Sequence, residues 1–207
     1  MINEKLINPG SIVVIGGSDD LSKPGGKVLK NLIDGNFQGE LFVVNPKQDH
    51  IQGVKSYKDI HDIPPVDLAI LAVQAKLCLP AVEILLKEKN TLAFIIISAG
   101  FSESGEEGKI LENKISDLIT RAGGCLIGPN CIGVITRTYN GVFTRLFPGS
   151  IKKVVTLSRD QVPPQSLSLN QQCQKGLIFR VYIQSVTVHR QALKRSLSIG
   201  IIPTIPQ

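Results

Sequence analysis

No run in this chain approaches the roughly 20 consecutive apolar residues that a membrane-spanning helix needs, so no membrane association is expected. The opening decapeptide, MINEKLINPG, lacks the basic-then-apolar layout of a secretion signal, and the expected location is cytoplasmic. Cysteine is sparse. Cys78, Cys125, Cys131 and Cys173 fall at spacings that match neither a zinc site nor a CxxC redox pair, which leaves them as small buried apolar residues in a reducing compartment. No metal site is expected. Three histidines, His50, His61 and His189, stand far apart in the chain and read as solvated loop residues. No basic patch is interleaved with aromatics, so nucleic acid is not an expected partner despite the formal net charge of +6.

That charge is unevenly placed. Residues 1–144 hold 14 Lys+Arg against 16 Asp+Glu, whereas residues 145–207 hold nine Lys+Arg against Asp160 alone. Glutamate is absent from the second segment, and eight of the twelve glutamines lie in it. A stretch such as QVPPQSLSLNQQCQKG (161–176) shows neither the period of a strand nor that of a helix. The domain boundary therefore falls near residue 144.

Before that boundary, strands and helices alternate. SIVVIGG (11–17) is a β-rich run ending in two glycines, and GGKVLKNLIDG puts Val28, Leu29, Leu32 and Ile33 on one helical face with Gly35 as a stop. ELFVVNPK (40–47) is a second strand broken by Pro46, and VDLAILAV (66–73) a third, apolar throughout as in a strand covered on both faces. KLCLPAVEILLKEK (76–89) reads as a helix in which Pro80 is tolerable only near the first turn. TLAFIIISAG (91–100) is a fourth strand, Ser104 and Glu107 form a capping-box pattern for a helix reaching about Arg121, and GCLIGPN (124–130) is a short fifth strand. The expected fold is α/β, a doubly wound, mostly parallel, Rossmann-like sheet over residues 1–144, followed by a poorly structured tail.

In such a sheet, ligands bind beyond the carboxyl ends of the strands. The residues there are Gly16, Gly17 and Ser18; Asn45, Pro46 and Lys47; Val73, Gln74 and Ala75; Ser98, Ala99 and Gly100; and Gly128, Pro129 and Asn130. A glycine pair after a strand is a tight turn in the plainest reading, or a place where backbone N–H groups approach a phosphate. The spacing G-G-S-D-D-L-S-K-P-G-G is not the G-x-G-x-x-G of dinucleotide folds. The second strand ends in Asn45-Pro46-Lys47, where a ribose-binding acid would otherwise stand, and Lys23 adds another cation. Both cations favour a nucleotide with a pyrophosphate and a phosphorylated ribose, such as coenzyme A or NADP.

INPGSIVVIGGSDD, VVNPK, VDLAILAV, FIIISAGFSESGEEG and LIGPNCIGV, in this order, resemble the CoA-binding domain of NDP-forming acyl-CoA synthetases. The likeness is greatest to the ADP-forming acetate–CoA ligases, related to the α subunit of succinyl-CoA synthetase. It implies that Gly16, Gly17, Ser18, Lys23 and Lys47 hold the CoA nucleotide. It also implies that Val73, Gln74, Ser98 and Gly100 line the pantetheine side and that Gly128-Pro129-Asn130 faces the phosphate-transfer site. The family interconverts acyl-CoA, ADP and phosphate with acid, ATP and CoA through an acyl phosphate and a phosphohistidine. ATP, ADP and Mg belong to an ATP-grasp β domain or subunit, the implied partner. None of the three histidines matches the family's phosphohistidine, which lies in a second domain, so no catalytic residue is expected here.

The family continues after GVFT with a proline-containing link and a loop of the Ser-Gly-Ser-Gly-Ala type, which this chain lacks. A shifted reading frame from Thr144 is compatible with TPIPRLDKKGCDFISGSGATA, which supplies both. The tail is accordingly read as out of frame, and the chain as a truncated CoA-binding portion inactive alone. Two other readings are a non-catalytic CoA- or nucleotide-responsive binding module and an NADP-binding redox domain.

Overall fold

Period-two alternation builds the core on both faces of one sheet. The computed structural model describes residues 2–144 and the backbone of residues 155–158. The central strand β1 (Ser11–Ile15) is buried throughout. Its Ile12 and Val14 point into one apolar cluster, and Val13 and Ile15 into the other. The same division recurs in β5 (Leu68–Leu71), where Leu68 and Ile70 face one side and Ala69 and Leu71 the other. β6 (Ala93–Ile96) places Ala93 and Ile95 against Phe94 and Ile96 in the same way. Each such large side chain contributes roughly 1.5–3 kcal/mol by leaving water, so a one-residue slip in any strand would be prohibitive.

With β2 (Glu40–Val44), β3 (His50–Ile51), β4 (Val54–Tyr57) and β7 (Cys125–Ile127), the sheet has seven strands in the order β3-β4-β2-β1-β5-β6-β7. All pairings are parallel except β3 with β4. The chain steps outward from β1 to β2 and then crosses to β5 on the other side, which makes the β1/β5 crevice the switch point. Helix α2 (Pro24–Asp34) covers one face, and α3 (Ala75–Lys89) and α4 (Glu106–Arg121) cover the other. A short α1 (Glu4–Ile7) precedes β1 and buries Leu6, whose carbonyl accepts from Tyr139 Oη at 2.9 Å. The fold class expected from the alternation is the one observed, and Gly35 ends α2 as expected.

The structure corrects several local expectations. The hairpin β3–β4, which carries no long apolar run, lies outside the five expected strands. So do β8 (Cys131–Ile135) and β9 (Asn140–Val142), which form a second small sheet against α2. Asn31 Nδ2 on α2 donates to Val142 O at 2.6 Å and to Thr144 O at 2.8 Å. Pro80 sits in the second turn of α3, because that helix already begins at Ala75. It lies on the exposed side, where water can hydrate the carbonyl left without a donor, while Cys78, Ala81, Val82 and Leu85 bury the opposite face.

The Ser104–Glu107 capping box is not formed. A 3₁₀ turn occupies Ser102–Ser104, and α4 starts after Gly105, at φ 111°, without a side-chain cap. The cause is Phe101, fully buried, whose carbonyl oxygen lies 1.9 Å from where a Cβ on Gly108 would be. That contact sets the start of the helix. His50 lies in β3 rather than in a loop, and His61 Nδ1 is 2.7 Å from Glu88 Oε2. Of residues 145–207, Val155–Ser158 form β10, which pairs antiparallel with β8. The remainder of the expected unstructured tail, with His189 and Cys173, lies outside the described residues.

Candidate functional site

The five loops expected to carry chemistry all emerge at the carboxyl ends of parallel strands, and bonded contacts link them across the top of the sheet. Gly16 follows β1 with φ 86°, its N–H donating to Val44 O at 3.0 Å. A Cβ there would lie 2.7 Å from Val73 Cγ1 and 2.8 Å from Ala72 O, so the first loop rests directly on the loop after β5. A Cβ on Gly25 would stand 2.1 Å from Gly16 O. Only glycine at both positions lets the first turn of α2 press against the first loop.

Helix α2 opens without a side-chain cap. Lys23 occupies the N-cap position and Pro24, which has no N–H, the next. The N–H groups of Gly25 and Gly26 and the positive end of the helix dipole thus meet no protein carboxylate cap, the arrangement that suits an anion. The two acids of the loop are engaged elsewhere. Asp20 accepts from Ser22 N at 2.9 Å and Ser22 Oγ at 2.6 Å, bonds that hold its carboxyl below the usual range, and Lys23 Nζ is 3.5 Å away. Asp19 Oδ1 accepts from the backbone N–H of Gln52 at 2.7 Å.

After β2, Asn45 Nδ2 donates to Gly17 O at 2.8 Å, while its Oδ1 accepts from Lys47 N at 2.9 Å. One side chain thereby joins the two loops and fixes the turn that presents Lys47, whose side chain is exposed. On the other side of the switch point, Ser98 Oγ donates to Val73 O, and Asn130 N donates to Ser98 O at 3.0 Å. Gly100, at φ 103°, donates its N–H to Glu103 Oε1 at 2.6 Å. Gly128, at φ 93°, would place a Cβ 2.3 Å from Ile96 O, and the Gly128–Pro129 peptide is cis. Loops from 16 to 130 therefore form one continuous rim.

Three of the cysteines, Cys78, Cys125 and Cys131, are buried free thiols, as expected. Burial pushes Cys78 up to about 11 and Cys131 up to about 12, so neither presents a thiolate near neutral pH. A groove between α3 and α4, lined by Leu79, Glu83, Lys114 and Arg121 among others, includes none of the rim residues.

Sequence reasoning missed Gln52 altogether. Its Nε2 donates to Ser18 O at 2.7 Å and to Gly26 O at 2.9 Å. A signal was present: H-I-Q-G-V-K is a two-residue hairpin turn between short alternating strands, with positive φ at Gln52 (51°) and Gly53 (82°).

Residues 10–137 match the family described as the CoA binding domain. The chain belongs to that family. It is 41% identical over 148 residues to ADP-forming acetate–CoA ligase I of Archaeoglobus fulgidus, covering 70% of this chain and 21% of that protein. It is 42% identical over 137 residues to the α subunit of ADP-forming acetate–CoA ligase II of Pyrococcus furiosus, covering 65% of this chain and 29% of the subunit. Among solved structures, the dinucleotide-forming acetyl-coenzyme A synthetase 1 of Candidatus Korarchaeum cryptofilum, in complex with phosphate and ADP, is similar with TM-score 0.63 and 30% identity, covering 69% of this chain and 31% of that one. The chain thus spans under a third of the length of these relatives.

Coenzyme A, the cofactor expected from the sequence, is the ligand for which the family is named. The donor types suit the phosphates of its nucleotide: a helix start without a side-chain cap, with Lys23 at its N-cap position, and a β2 end that carries Asn45 and exposed Lys47 rather than a carboxylate. No described helix is long and apolar enough to cross a membrane.

Proposed function

We propose that this chain is the CoA-binding portion of an ADP-forming acetyl- or acyl-CoA synthetase, truncated and inactive alone. The observation that carries the reading is the junction of the first two loops, where Asn45 holds both Gly17 and the turn that presents Lys47, together with an α2 start that has no side-chain cap. Gly16, Gly17 and Ser18 with the first turn of α2 take the pyrophosphate, and Lys23 and Lys47 take phosphate charge, Lys47 that on the ribose. Val73, Gln74, Ser98, Ala99 and Gly100 flank the pantetheine arm, leading towards Gly128, Pro129 and Asn130, where the thioester end faces phosphate transfer. Bound CoA supplies the thiol that carries the acyl group; this chain's residues bind and orient it. An ATP-grasp domain or subunit completes the enzyme, a reading supported by the likeness to an α subunit. The buried free thiols are consistent with a cytoplasmic site.

Calorimetry on the full chain tests this. CoA should bind, and should bind more tightly than 3′-dephospho-CoA, because a charge-assisted phosphate contact is worth roughly 1.5–3 kcal/mol. Tighter binding of NADP would replace the reading with a redox domain. The purified chain, even with an ATP-grasp partner, should form neither acetyl-CoA nor ATP. Stoichiometric labelling of His50 or His61 by phosphate would overturn that.

Residues 145–207 are, in the same proposal, a segment read out of frame. The reversal of charge balance and the loss of glutamate after residue 144 support it. The pairing of β10 with β8 is compatible, since a sheet edge accepts the backbone of almost any extended segment. Genomic DNA across codons 140–150 decides the matter: an uninterrupted frame would mean the tail is an authentic extension.

A further inference from the structure

We infer that Gln52 is a positioning residue for the CoA pyrophosphate, an assignment that rests on the proposed CoA site and deepens it. Gln52 makes three bonds to the segment that would meet the anion. Its backbone N–H binds Asp19 Oδ1 at 2.7 Å, and its two amide hydrogens are divided between Ser18 O at 2.7 Å and Gly26 O at 2.9 Å. The first loop and the first turn of α2 are thereby tied to a single side chain. With Asn45 holding Gly17 O, the carbonyls of Gly17 and Ser18 are both captured by side-chain amides from the β2–β4 region. In a planar trans peptide the N–H points opposite to the C=O, so this capture turns the N–H groups of Ser18 and Asp19 to the other side, as a phosphate cradle requires.

Local structure gives no reason for glutamine at this position. Residue 52 has φ 51°, in a two-residue turn that glycine, asparagine or aspartate fits with less strain. The side-chain Oε1 is buried and has no partner, so the amide is not there to satisfy itself. Its orientation is nonetheless fixed, because a flipped amide would turn its oxygen onto two carbonyl oxygens. A residue that tolerates turn strain and an orphaned acceptor, and whose side chain bonds the glycine loop and the first turn of α2, is placed for that junction.

The test compares the full wild-type chain with Gln52→Met and Gln52→Glu. Affinity for CoA and for 3′-dephospho-CoA is measured by calorimetry at pH 5.5 and pH 8, with thermal melting as a check on folding. Gln52→Met should weaken both ligands alike, by about tenfold, because the pyrophosphate is common to them. Gln52→Glu should be weaker still at pH 8, where its carboxylate faces two carbonyl oxygens. It should recover towards wild type at pH 5.5 relative to the wild-type profile, because the protonated acid can donate one bond again. Variants that fold and bind both ligands within twofold of wild type at pH 8 would overturn the assignment. So would a loss confined to CoA, which would put Gln52 at the ribose phosphate instead. A wild-type chain that binds neither ligand would overturn the CoA reading itself, and this assignment with it. Amide hydrogen exchange gives a ligand-free readout: exchange in residues 17–20 should quicken in Gln52→Met, and unchanged exchange would also overturn the proposal.

Discussion

The two sides of the switch point hold their loops by different means. On the β1–β2 side, side-chain amides from Asn45 and Gln52 grip backbone carbonyls of the first loop, and lysines stand at its margins. On the β5–β7 side, loops are joined by the Ser98 hydroxyl and by backbone, while carboxylates take the N–H groups: Glu103 that of Gly100, and Glu112 that of Ser102. Amides that hold carbonyls free N–H groups for an external anion. Carboxylates that hold N–H groups use them up. Asp20 and Asp19 on the first side also take N–H groups, those of Ser22 and Gln52, but beyond the Gly16–Ser18 turn. The difference supports the proposed placing of phosphates on the first side and the uncharged arm on the second, although the two are built on equivalent strand ends.

That contrast can be broken most severely at the helix that presses on the first loop. Gly25→Ala puts a Cβ 2.1 Å from Gly16 O and should destabilise the domain by roughly 3 kcal/mol while abolishing CoA binding. Its counterpart, Gly105→Ala, meets nothing within 4 Å and bears only the strain of φ 111°, roughly 1–2 kcal/mol, with CoA affinity retained. Denaturant melts and calorimetry on both would measure the asymmetry; equal losses would remove it.

Lys47→Ala should erase most of the preference for CoA over 3′-dephospho-CoA, a change of roughly tenfold or more. Unchanged discrimination would move the ribose phosphate elsewhere. Across the switch point, Ser98→Ala removes the hydroxyl bond to Val73 O, which should cost about 1 kcal/mol in CoA affinity. Adenosine 3′,5′-bisphosphate, which has no pantetheine arm, should bind the two forms equally. If it weakens in parallel, the two sides are not separate.

The smallest effect lies off the rim, at His61. The hydrogen bond and charge of Glu88 raise its pKa above 6.5. A raised histidine stabilises the folded state fully below its unfolded pKa and loses that contribution as the pH climbs through the folded value. Wild type should therefore lose a little stability relative to Glu88→Gln as the pH rises above about 6.5, measured by thermal melting, with CoA affinity unaffected by the substitution. Parallel melting curves for the two proteins would show that the pair contributes nothing. The contact is too exposed to matter more.

How far the sequence reaches is seen in particular residues. The alternation Ile12-Val13-Val14-Ile15 assigns each side chain to a face, because successive strand residues point oppositely whatever surrounds them. Gly35 ends α2 for an equally local reason. From these follow the sheet, its strand-end rim and the five loops that line it. The family likeness is legible in those same loops.

Tertiary structure alone decided how the rim is held. Gln52 reaches Ser18 across 34 residues and Gly26 across 26, and Asn45 reaches Gly17 across 28. The Gln52 contacts depend on β4 joining the sheet parallel to β2, with Val43 beside Ser56 and Val44 beside Tyr57, and the Asn45 contact on β2 lying parallel to β1, with Ile15 beside Val44. The start of α4 was likewise set by buried Phe101 against Gly108 rather than by the Ser104 cap that the local pattern offered. Local geometry is written in neighbouring residues, so period and punctuation could be read directly. Contacts between distant residues exist only once the strands have found their order, because burial of the two apolar faces fixes that order and side-chain ties form within it.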